Sequence, residues 1–297
     1  MAPRSREVND ADGDCGLRTV RIDLRAAAPL NVFAFIVPAI TRGEMRGGVV
    51  GSPAVTILSA LQFLVVAIDT VLIAPVVVAV ALVHENAAYR LCHVWVRFNL
   101  FLYGVRVETH RLAALDPRRP YVFMSNHRSQ FDILAVVVAL HEFQLRWVAK
   151  VELTRIPVFG WALKHTGHII IDRSDRVQAV ATLRAARARM EKGICVTIFP
   201  EGTRSGADQA LLPFKKGGFM LAVETGFPIV PLAVRGSRAI LPRGSWQPSS
   251  GTIDVVVGAP IPVEGASREE LMERVRRFMI DHLDDASDVR PSAAAAL

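Results

Sequence analysis

From residue 105 onward, short apolar runs alternate with longer mixed stretches that end at glycine. Two of these stretches, residues 174–192 and 214–225, are followed by Gly193 and Gly226, which is typical of helices that end at a glycine. Strands that alternate with helices along a chain favour a mostly parallel sheet. The pattern therefore predicts an α/β fold with a mixed, mostly parallel sheet covered by helices. The strand candidates are residues 121–124, 145–149, 168–172, 194–199, 229–234 and 252–257.

Nearer the N-terminus, residues 54–83 form an apolar run that contains one charged side chain, Asp69. As one continuous helix the run would be ~45 Å long, whereas the hydrocarbon core of a bilayer is ~30 Å thick. Asp69, Thr70 and Pro75 are natural places for a break. Arginines flank both ends of the run, so positive charge does not orient a single crossing. We predict a re-entrant or monotopic helical hairpin, with one tilted transmembrane helix as the alternative.

Composition and charge favour a membrane or an anionic substrate as the partner. The chain has 297 residues, a formal net charge of +7, 51% hydrophobic residues and a mean hydropathy of +0.31. A positive charge of this size suits anionic lipid headgroups, phosphorylated substrates or nucleic acid. Nucleic acid is disfavoured, because no recognisable binding motif or aromatic platform accompanies the basic residues. The scattered Cys15, Cys92 and Cys195 argue against a zinc site and for a reducing compartment.

The first candidate site is the polar segment that follows the strand candidate at residues 121–124. A helix is predicted to begin at about Ser129, with Ser129 as its N-cap, so that His127 lies between strand and helix. Asp132 then lies in the first helical turn, from where its carboxylate reaches back toward the imidazole. A histidine held by a carboxylate keeps one tautomer, and its other ring nitrogen accepts a proton. We predict His127 as a general base and Asp132 as the residue that orients it.

A second polar segment, residues 199–205, also follows an apolar run. Arg204 lies there in a glycine-containing turn, where a guanidinium binds a phosphate through two hydrogen bonds. For Glu201, bracing of the loop and contact with the substrate are equal alternatives. Two basic residues in neighbouring segments, Arg173 and Lys150, are further candidates for binding the phosphate. The alternative is that they are ordinary surface charges. The predicted substrate-binding residues are Glu201, Gly202, Thr203, Arg204, Arg173 and Lys150.

These segments together resemble the glycerolipid acyltransferase family, most closely its 1-acylglycerol-3-phosphate acyltransferase branch. The first segment matches the family's N-H-x-x-x-x-D signature from Asn126 to Asp132, and the second matches its F-P-E-G-T-R-S block from Phe199 to Ser205. Weaker blocks lie in the expected order between and after them. The resemblance covers residues 105–262.

The resemblance implies an enzyme that moves a fatty acyl group to the 2-hydroxyl of 1-acylglycerol-3-phosphate, giving phosphatidic acid. The implied donor is an acyl-CoA or acyl carrier protein thioester, which is already activated, so neither a metal nor an organic cofactor is expected. The expected location is the cell membrane, with the active site on the cytoplasmic side. One alternative is an acyltransferase that uses glycerol-3-phosphate or another lysolipid, such as lyso-ornithine lipid. The other is a non-catalytic lipid-binding membrane protein.

The predicted organisation has four parts. A mobile N-terminal tail at residues 1–28 precedes a membrane-associated helical region at 29–104. The acyltransferase domain covers residues 105–286, and a disordered tail covers 287–297. Near the end of the domain, Ser267-x-x-Glu270 has the pattern of a capping box that opens an amphipathic helix.

Overall fold

The computed structural model describes residues 18–20, 53–155, 159–171, 176–206, 209 and 211–283. Strand β1 belongs to the segment interpreted above as an N-terminal tail. The rest of that segment and the predicted C-terminal tail lie outside the described residues. The strands are β1 Arg18–Val20, β2 Val105–Arg111, β3 Val122–Ser125, β4 Gln144–Lys150, β5 Ile169–Ile171, β6 Ile194–Ile198, β7 Ile229–Arg235 and β8 Gly251–Val257.

The described strands form one sheet in the order β1-β2-β8-β7-β3-β6-β4-β5. Five of the strand pairs are parallel, and the β1–β2 and β7–β8 pairs are antiparallel. Strands β3 and β6, whose residues are almost all apolar, lie inside the sheet and are buried throughout. This burial on both faces is what continuous apolar strands require. The predicted mixed, mostly parallel α/β fold is confirmed.

Helices cover both faces of the sheet. Helices α2 and α3 pack on one face, with α1 against α2, while α5, α6 and α8 pack on the other. The predicted capping box is present at the start of α8, where the side chain of Ser267 and that of Glu270 each accept the other's backbone N–H. The helices are α1 Pro53–Val83, α2 Glu85–Leu102, α3 Phe131–Ala139, α4 Phe159–His165, α5 Arg176–Met190, α6 Lys216–Thr225, α7 Ser237–Ile240 and α8 Arg268–His282; a 3-10 helix spans Val151–Arg155.

The long apolar run is one continuous helix. Helix α1 passes unbroken through Asp69 and Pro75, so the predicted break inside the run is wrong. A single proline removes one backbone hydrogen bond, which an otherwise apolar, helix-forming segment tolerates. The chain reverses at His84, which alone separates α1 from α2. The two helices pack side by side over the length of α2, at whose end Gln62 donates a hydrogen bond of 2.9 Å to the carbonyl of Leu102.

Helix α1 has one face against the protein and one face exposed. Val66, Ile73 and Val77 are buried in the core shared with α2. Within the described residues, Ser59–Val83 is the helical segment that is long and apolar enough to cross a membrane. Ten large apolar side chains form what we call the exposed stripe of α1: Ile57, Leu61, Leu64, Val65, Ile68, Val71, Leu72, Val76, Leu82 and Val83.

Candidate active site

The site lies at the carboxyl ends of three neighbouring strands. Strands β7, β3 and β6 are adjacent and parallel, so their carboxyl ends lie at the same edge of the sheet. The loop after β3 carries His127, and the loop after β6 carries Arg204. The N–H of Ser205 donates to the carbonyl of His127 at 2.8 Å. The structure therefore brings the two polar segments of the sequence together.

His127 and Asp132 make the contact that their spacing predicts. The Nδ1 atom of His127 lies 2.8 Å from Oδ2 of Asp132. The same oxygen accepts the backbone N–H groups of Arg128 at 2.6 Å and of Ser129 at 2.8 Å. Asp132 is fully buried, whereas the side chain of His127 keeps 13% exposure. A carboxylate that accepts the Nδ1 proton selects the tautomer in which Nε2 has the lone pair.

The helix after this loop begins later than the sequence suggests. Helix α3 begins at Phe131, and Gln130 occupies the N-cap position. The N-cap position falls one residue after the predicted Ser129, but the hydroxyl of Ser129 still accepts the N–H of Phe131 at 3.3 Å, as a capping side chain does, while it donates to the carbonyl of Leu241 at 2.8 Å. That contact joins the loop to the segment after β7. The carboxylate of Asp132 serves the N–H groups before the helix instead.

Two aromatic rings fix the plane of the imidazole. The ring of His127 stacks on Phe199 with 4.0 Å between centroids and 11° between planes. Phe199 in turn stacks on Trp147 at 5.2 Å and 22°. The bond to Asp132 fixes rotation within the ring plane, while the stack fixes the plane itself. Sequence reasoning gave Phe199 and Trp147 no role, since contacts between separate strands leave no spacing signal.

Asn126 joins the loop to the neighbouring strand. Its side-chain NH2 donates to the carbonyl of Val234 at 2.9 Å, and its side-chain oxygen accepts the N–H of Val234 at 2.7 Å. Asn126 is fully buried. The amide therefore pairs with β7 as another backbone would, at the point where β3 has ended. Both buried polar groups of Val234 are satisfied in this way.

Glu201, a buried residue of the second loop, connects the two loops. One carboxylate oxygen accepts the N–H of His127 and the other accepts the N–H of Leu212, each at 2.7 Å. Glu201 is 1% exposed. Burial raises the pKa of this carboxyl to about 7, although the two N–H donors oppose the shift. The contacts correspond to the bracing alternative, and contact with a substrate stays a prediction.

The rest of the second loop turns toward solvent. Gly202 has a φ of 69°, a backbone conformation that favours glycine. Thr203 is exposed and Arg204 is partly buried. The carbonyl of Arg204 accepts a hydrogen bond from Nη1 of Arg243 at 3.1 Å. This part of the loop is thus held at its backbone while the side chains of Thr203 and Arg204 reach the surface.

Of the two remaining phosphate candidates, Lys150 is among the described residues. Lys150 is the last residue of β4 and pairs with Ile171 of β5. Arg173 follows β5 but lies outside the described residues. Both roles therefore stay predictions.

One further polar cluster lies on strands β2 and β8. Glu108, His110 and Asp254 are close enough to one another to share a metal ion. Asp254 is already paired with His110 at 3.0 Å and lies 3.9 Å from the guanidinium of Arg235. A neighbouring cation weakens a site for a second cation. The expectation of an active site without a metal stays a prediction.

Comparison with known proteins gives consistent matches. The family model described as Acyltransferase matches residues 106–235. The 1-acyl-sn-glycerol-3-phosphate acyltransferase of Pseudomonas aeruginosa is 33% identical over 204 residues, covering 66% of this chain and 77% of that protein. The 1-acyl-sn-glycerol-3-phosphate acyltransferase alpha of Ovis aries is 34% identical over 184 residues, covering 61% of this chain and 63% of that protein. The chain thus spans less than two thirds of the length of the sheep relative.

A solved structure has the same fold. The crystal structure of the 1-acyl-sn-glycerophosphate acyltransferase from Thermotoga maritima superposes with a TM-score of 0.59 at 23% sequence identity. The match covers 80% of this chain and 98% of that one. It extends beyond the residues that the family model matches, so the likeness in fold includes elements outside that range.

Proposed function

The chain belongs to the acyltransferase family, in the branch of the 1-acyl-sn-glycerol-3-phosphate acyltransferases, and we propose that it acylates the 2-hydroxyl of 1-acylglycerol-3-phosphate. The donor is an acyl thioester of coenzyme A or acyl carrier protein, and the product is phosphatidic acid. The observation that carries the proposal is the contact of 2.8 Å between His127 and the buried Asp132, beside the loop of Arg204. The pair supplies a base, and the neighbouring loop supplies a cation for the acceptor's phosphate.

His127 acts as the general base. Its Nε2 takes the proton of the 2-hydroxyl as that oxygen attacks the thioester carbonyl carbon. The tetrahedral intermediate then expels the thiolate, which receives the same proton from the imidazolium, so that a C–O bond forms and a C–S bond breaks. Asp132 stabilises the imidazolium throughout. The transfer is direct and needs no acyl-enzyme, because the thioester is already activated.

The loop after β6 binds the acceptor. The guanidinium of Arg204 holds the 3-phosphate through two charge-assisted hydrogen bonds, with Lys150 and Arg173 as further cations. The turn at Gly202 brings Thr203 and Arg204 to the surface beside His127. Fixing the phosphate places the acceptor's 2-hydroxyl next to His127 and holds it there in the orientation that the reaction needs. Glu201 supports the two loops, since each of its carboxylate oxygens accepts a hydrogen bond from a backbone N–H group.

Helix α1 attaches the protein to the cell membrane, with the active site on the cytoplasmic side. The exposed stripe of α1 offers a continuous apolar surface, while its other face is buried against α2. Since α2 runs beside α1 from His84 back to about Gln62, this part of α1 lies along the protein. We propose a monotopic attachment, in which the stripe enters one leaflet and keeps the site at the interface where the lysolipid resides.

The enzymatic proposal is tested by a matrix of donors and acceptors. The purified protein is assayed with acyl-CoA and acyl carrier protein thioesters, each against 1-acylglycerol-3-phosphate, glycerol-3-phosphate, lyso-ornithine lipid and monoacylglycerol. We expect the highest kcat/KM with 1-acylglycerol-3-phosphate. A higher value with another acceptor would replace the proposed substrate, and no transfer with any pair would favour a non-catalytic lipid-binding protein.

The membrane proposal is tested by labelling. Single cysteines at positions 46 and 90, in a variant without the native cysteines, are treated with a membrane-impermeant thiol reagent in sealed vesicles. Monotopic attachment predicts that both positions are labelled from the same side. Labelling from opposite sides would establish a crossing by α1.

A further inference from the structure

We infer that Arg238 is a positioning residue for the acceptor's phosphate, because its side chain holds the loop that carries Arg204. The inference rests on the proposed function, in which Arg204 binds that phosphate. Arg238 lies outside the polar segments that the sequence singled out. Its effect on the reaction passes through Ser205 and the backbone of Gly206 and Gln209 rather than through contact with the substrate.

The topology brings Arg238 to the site. Strand β7 neighbours β3, and a turn at Gly236 leads from the end of β7 into α7. Gly236 has a φ of 79°, and a Cβ atom there would lie 2.5 Å from the carbonyl oxygen of Thr252. Only glycine fits this turn. The turn therefore places residues 237–243 beside the loops that follow β3 and β6.

The guanidinium of Arg238 holds three acceptors of the second loop. Its Nη2 atom donates to the carbonyl of Gly206 at 2.6 Å and lies 3.2 Å from the carbonyl of Gln209. The hydroxyl of Ser205 lies 3.4 Å from the same nitrogen. Hydrogen bonds from a charged donor are about twice as strong as neutral ones. The half-buried side chain of Arg238 thus contacts the part of the loop that directly follows Arg204.

The same segment touches both loops of the site. Arg243 donates to the carbonyl of Arg204, and the carbonyl of Leu241 accepts from Ser129 in the loop after β3. Arg238 is therefore one member of a brace that sets the two loops relative to each other. The brace fixes the backbone position from which the side chain of Arg204 extends.

This brace matters because it holds the part of the loop that follows Ser205, beyond the backbone contacts of Glu201 and Ser205. Gly202 and Gly206 have no side chains to pack, and Thr203 is exposed. Without the guanidinium, the loop would gain conformations that binding must then remove, and that ordering cost reduces affinity. The loss falls on binding of the phosphate and leaves the His127–Asp132 contact in place. We therefore expect a change in KM rather than in kcat.

The test measures Arg238→Met and Arg238→Lys in mixed micelles, with 1-acylglycerol-3-phosphate and with monoacylglycerol as acceptors. For Arg238→Met we expect the KM of the phosphorylated acceptor to rise about tenfold, with kcat within about threefold and the unphosphorylated acceptor unaffected. Arg238→Lys is expected to be intermediate, because an ammonium keeps the charge but loses the planar fork. Arg277→Met, which removes an exposed arginine paired with Glu273 on α8, is the matched control and should change neither constant.

The double variant Arg204→Ala/Arg238→Met tests whether Arg238 acts through Arg204. If Arg238 acts through Arg204, its effect on KM should nearly vanish in the Arg204→Ala background. A full effect in that background, or an equal loss on both acceptors, would overturn the inference. If Arg204→Ala reduces discrimination for the phosphate while Arg238→Met does not, the inference alone is overturned. If Arg204→Ala itself leaves discrimination unchanged, the proposed phosphate role of Arg204 is overturned and the inference with it.

Discussion

The two loops of the active site are neighbours in space but are stabilised in different ways. In the loop after β3, Asn126 and Asp132 are fully buried, and most of the loop's polar groups pair with one another, with β7 or with the buried Glu201. In the loop after β6, Thr203 and Arg204 reach the surface and the backbone is held by arginines from another segment. A base needs one fixed orientation, which internal contacts provide. A group that must meet a substrate needs exposure, so its support has to come from outside the loop.

The largest expected effect comes from removing the base. His127→Ala should lower kcat by at least ~10²-fold, the low end for the loss of general-base catalysis. Folding should be unaffected, because the side chain contributes one hydrogen bond and one stacked contact. Steady-state turnover and the circular dichroism melting curve check the two statements. Turnover close to that of the unchanged protein would refute the mechanism.

The second prediction concerns Asp132, the buried carboxylate that orients His127. Asp132→Asn keeps the shape but loses the negative charge that stabilises the imidazolium, so kcat should fall by ~10-fold or more. Combined with His127→Ala, the losses should be far less than additive, since both residues serve one proton transfer. Kinetics of the two single variants and the double variant measure this coupling. Independent, additive losses would mean that Asp132 acts on something other than His127.

Changing Arg204 tests the exposed loop. Arg204→Ala should cost about 1.5–3 kcal/mol in kcat/KM for 1-acylglycerol-3-phosphate, the usual range for a hydrogen bond to a charged group. Discrimination against monoacylglycerol should shrink by the same factor. Arg204→Lys should recover only part of the loss. An equal loss on both acceptors, together with weaker binding of the thioester, would assign Arg204 to the donor.

Glu201 connects the two loops, and its contribution should depend on pH. Burial raises the pKa of this carboxyl from 4.5 to about 7, so the folded protein holds the proton more tightly than the unfolded chain does. The stability gained is complete below pH 4.5 and is lost as the pH rises through 7. Glu201→Gln removes this titration, and the melting temperature should then depend less on pH in that window.

The matched control for this prediction is Glu224→Gln, which changes an exposed carboxyl on α6. It should leave the pH dependence of melting unchanged. Glu201→Gln should also lower stability by about 1–3 kcal/mol at low pH, because the new amide NH2 faces a backbone N–H. An unaltered slope of melting temperature against pH would show that Glu201 does not titrate in this range.

The smallest expected effect concerns the ring beneath His127. Phe199→Leu keeps an apolar side chain but removes the flat surface, so kcat should fall several-fold, on the scale of ~0.5–1.5 kcal/mol for an aromatic pair. The KM of both substrates should stay the same. Phe219→Leu, in the core on the other face of the sheet, is the control for a general loss of packing. Equal losses of kcat in the two variants would mean that the stack has no orienting role.

The local parts of the fold and site were predictable, and the long-range parts were not. Spacing alone placed Asp132 where it contacts His127, and the capping box at Ser267 depends on residues within one helical turn. Strand β2 was not singled out, because Arg, Glu and His alternate with its apolar residues on a strand near the edge of the sheet. The hydrogen bond from the hydroxyl of Ser129 to Leu241 joins residues that are far apart in the chain, so no local pattern predicts it. Arg238 escaped notice for the same reason.

The loop after β3 has one more property, which follows from the way Asn126 ends the strand. Its side chain completes the pairing with β7, so the next three N–H groups, of residues 127–129, are free to turn inward. All three point at carboxylates, one at Glu201 and two at Asp132. The loop is an anion-binding nest whose anions are the protein's own side chains. The negative charge of Asp132 is thus balanced by fixed backbone dipoles, which need no rearrangement when the imidazolium forms.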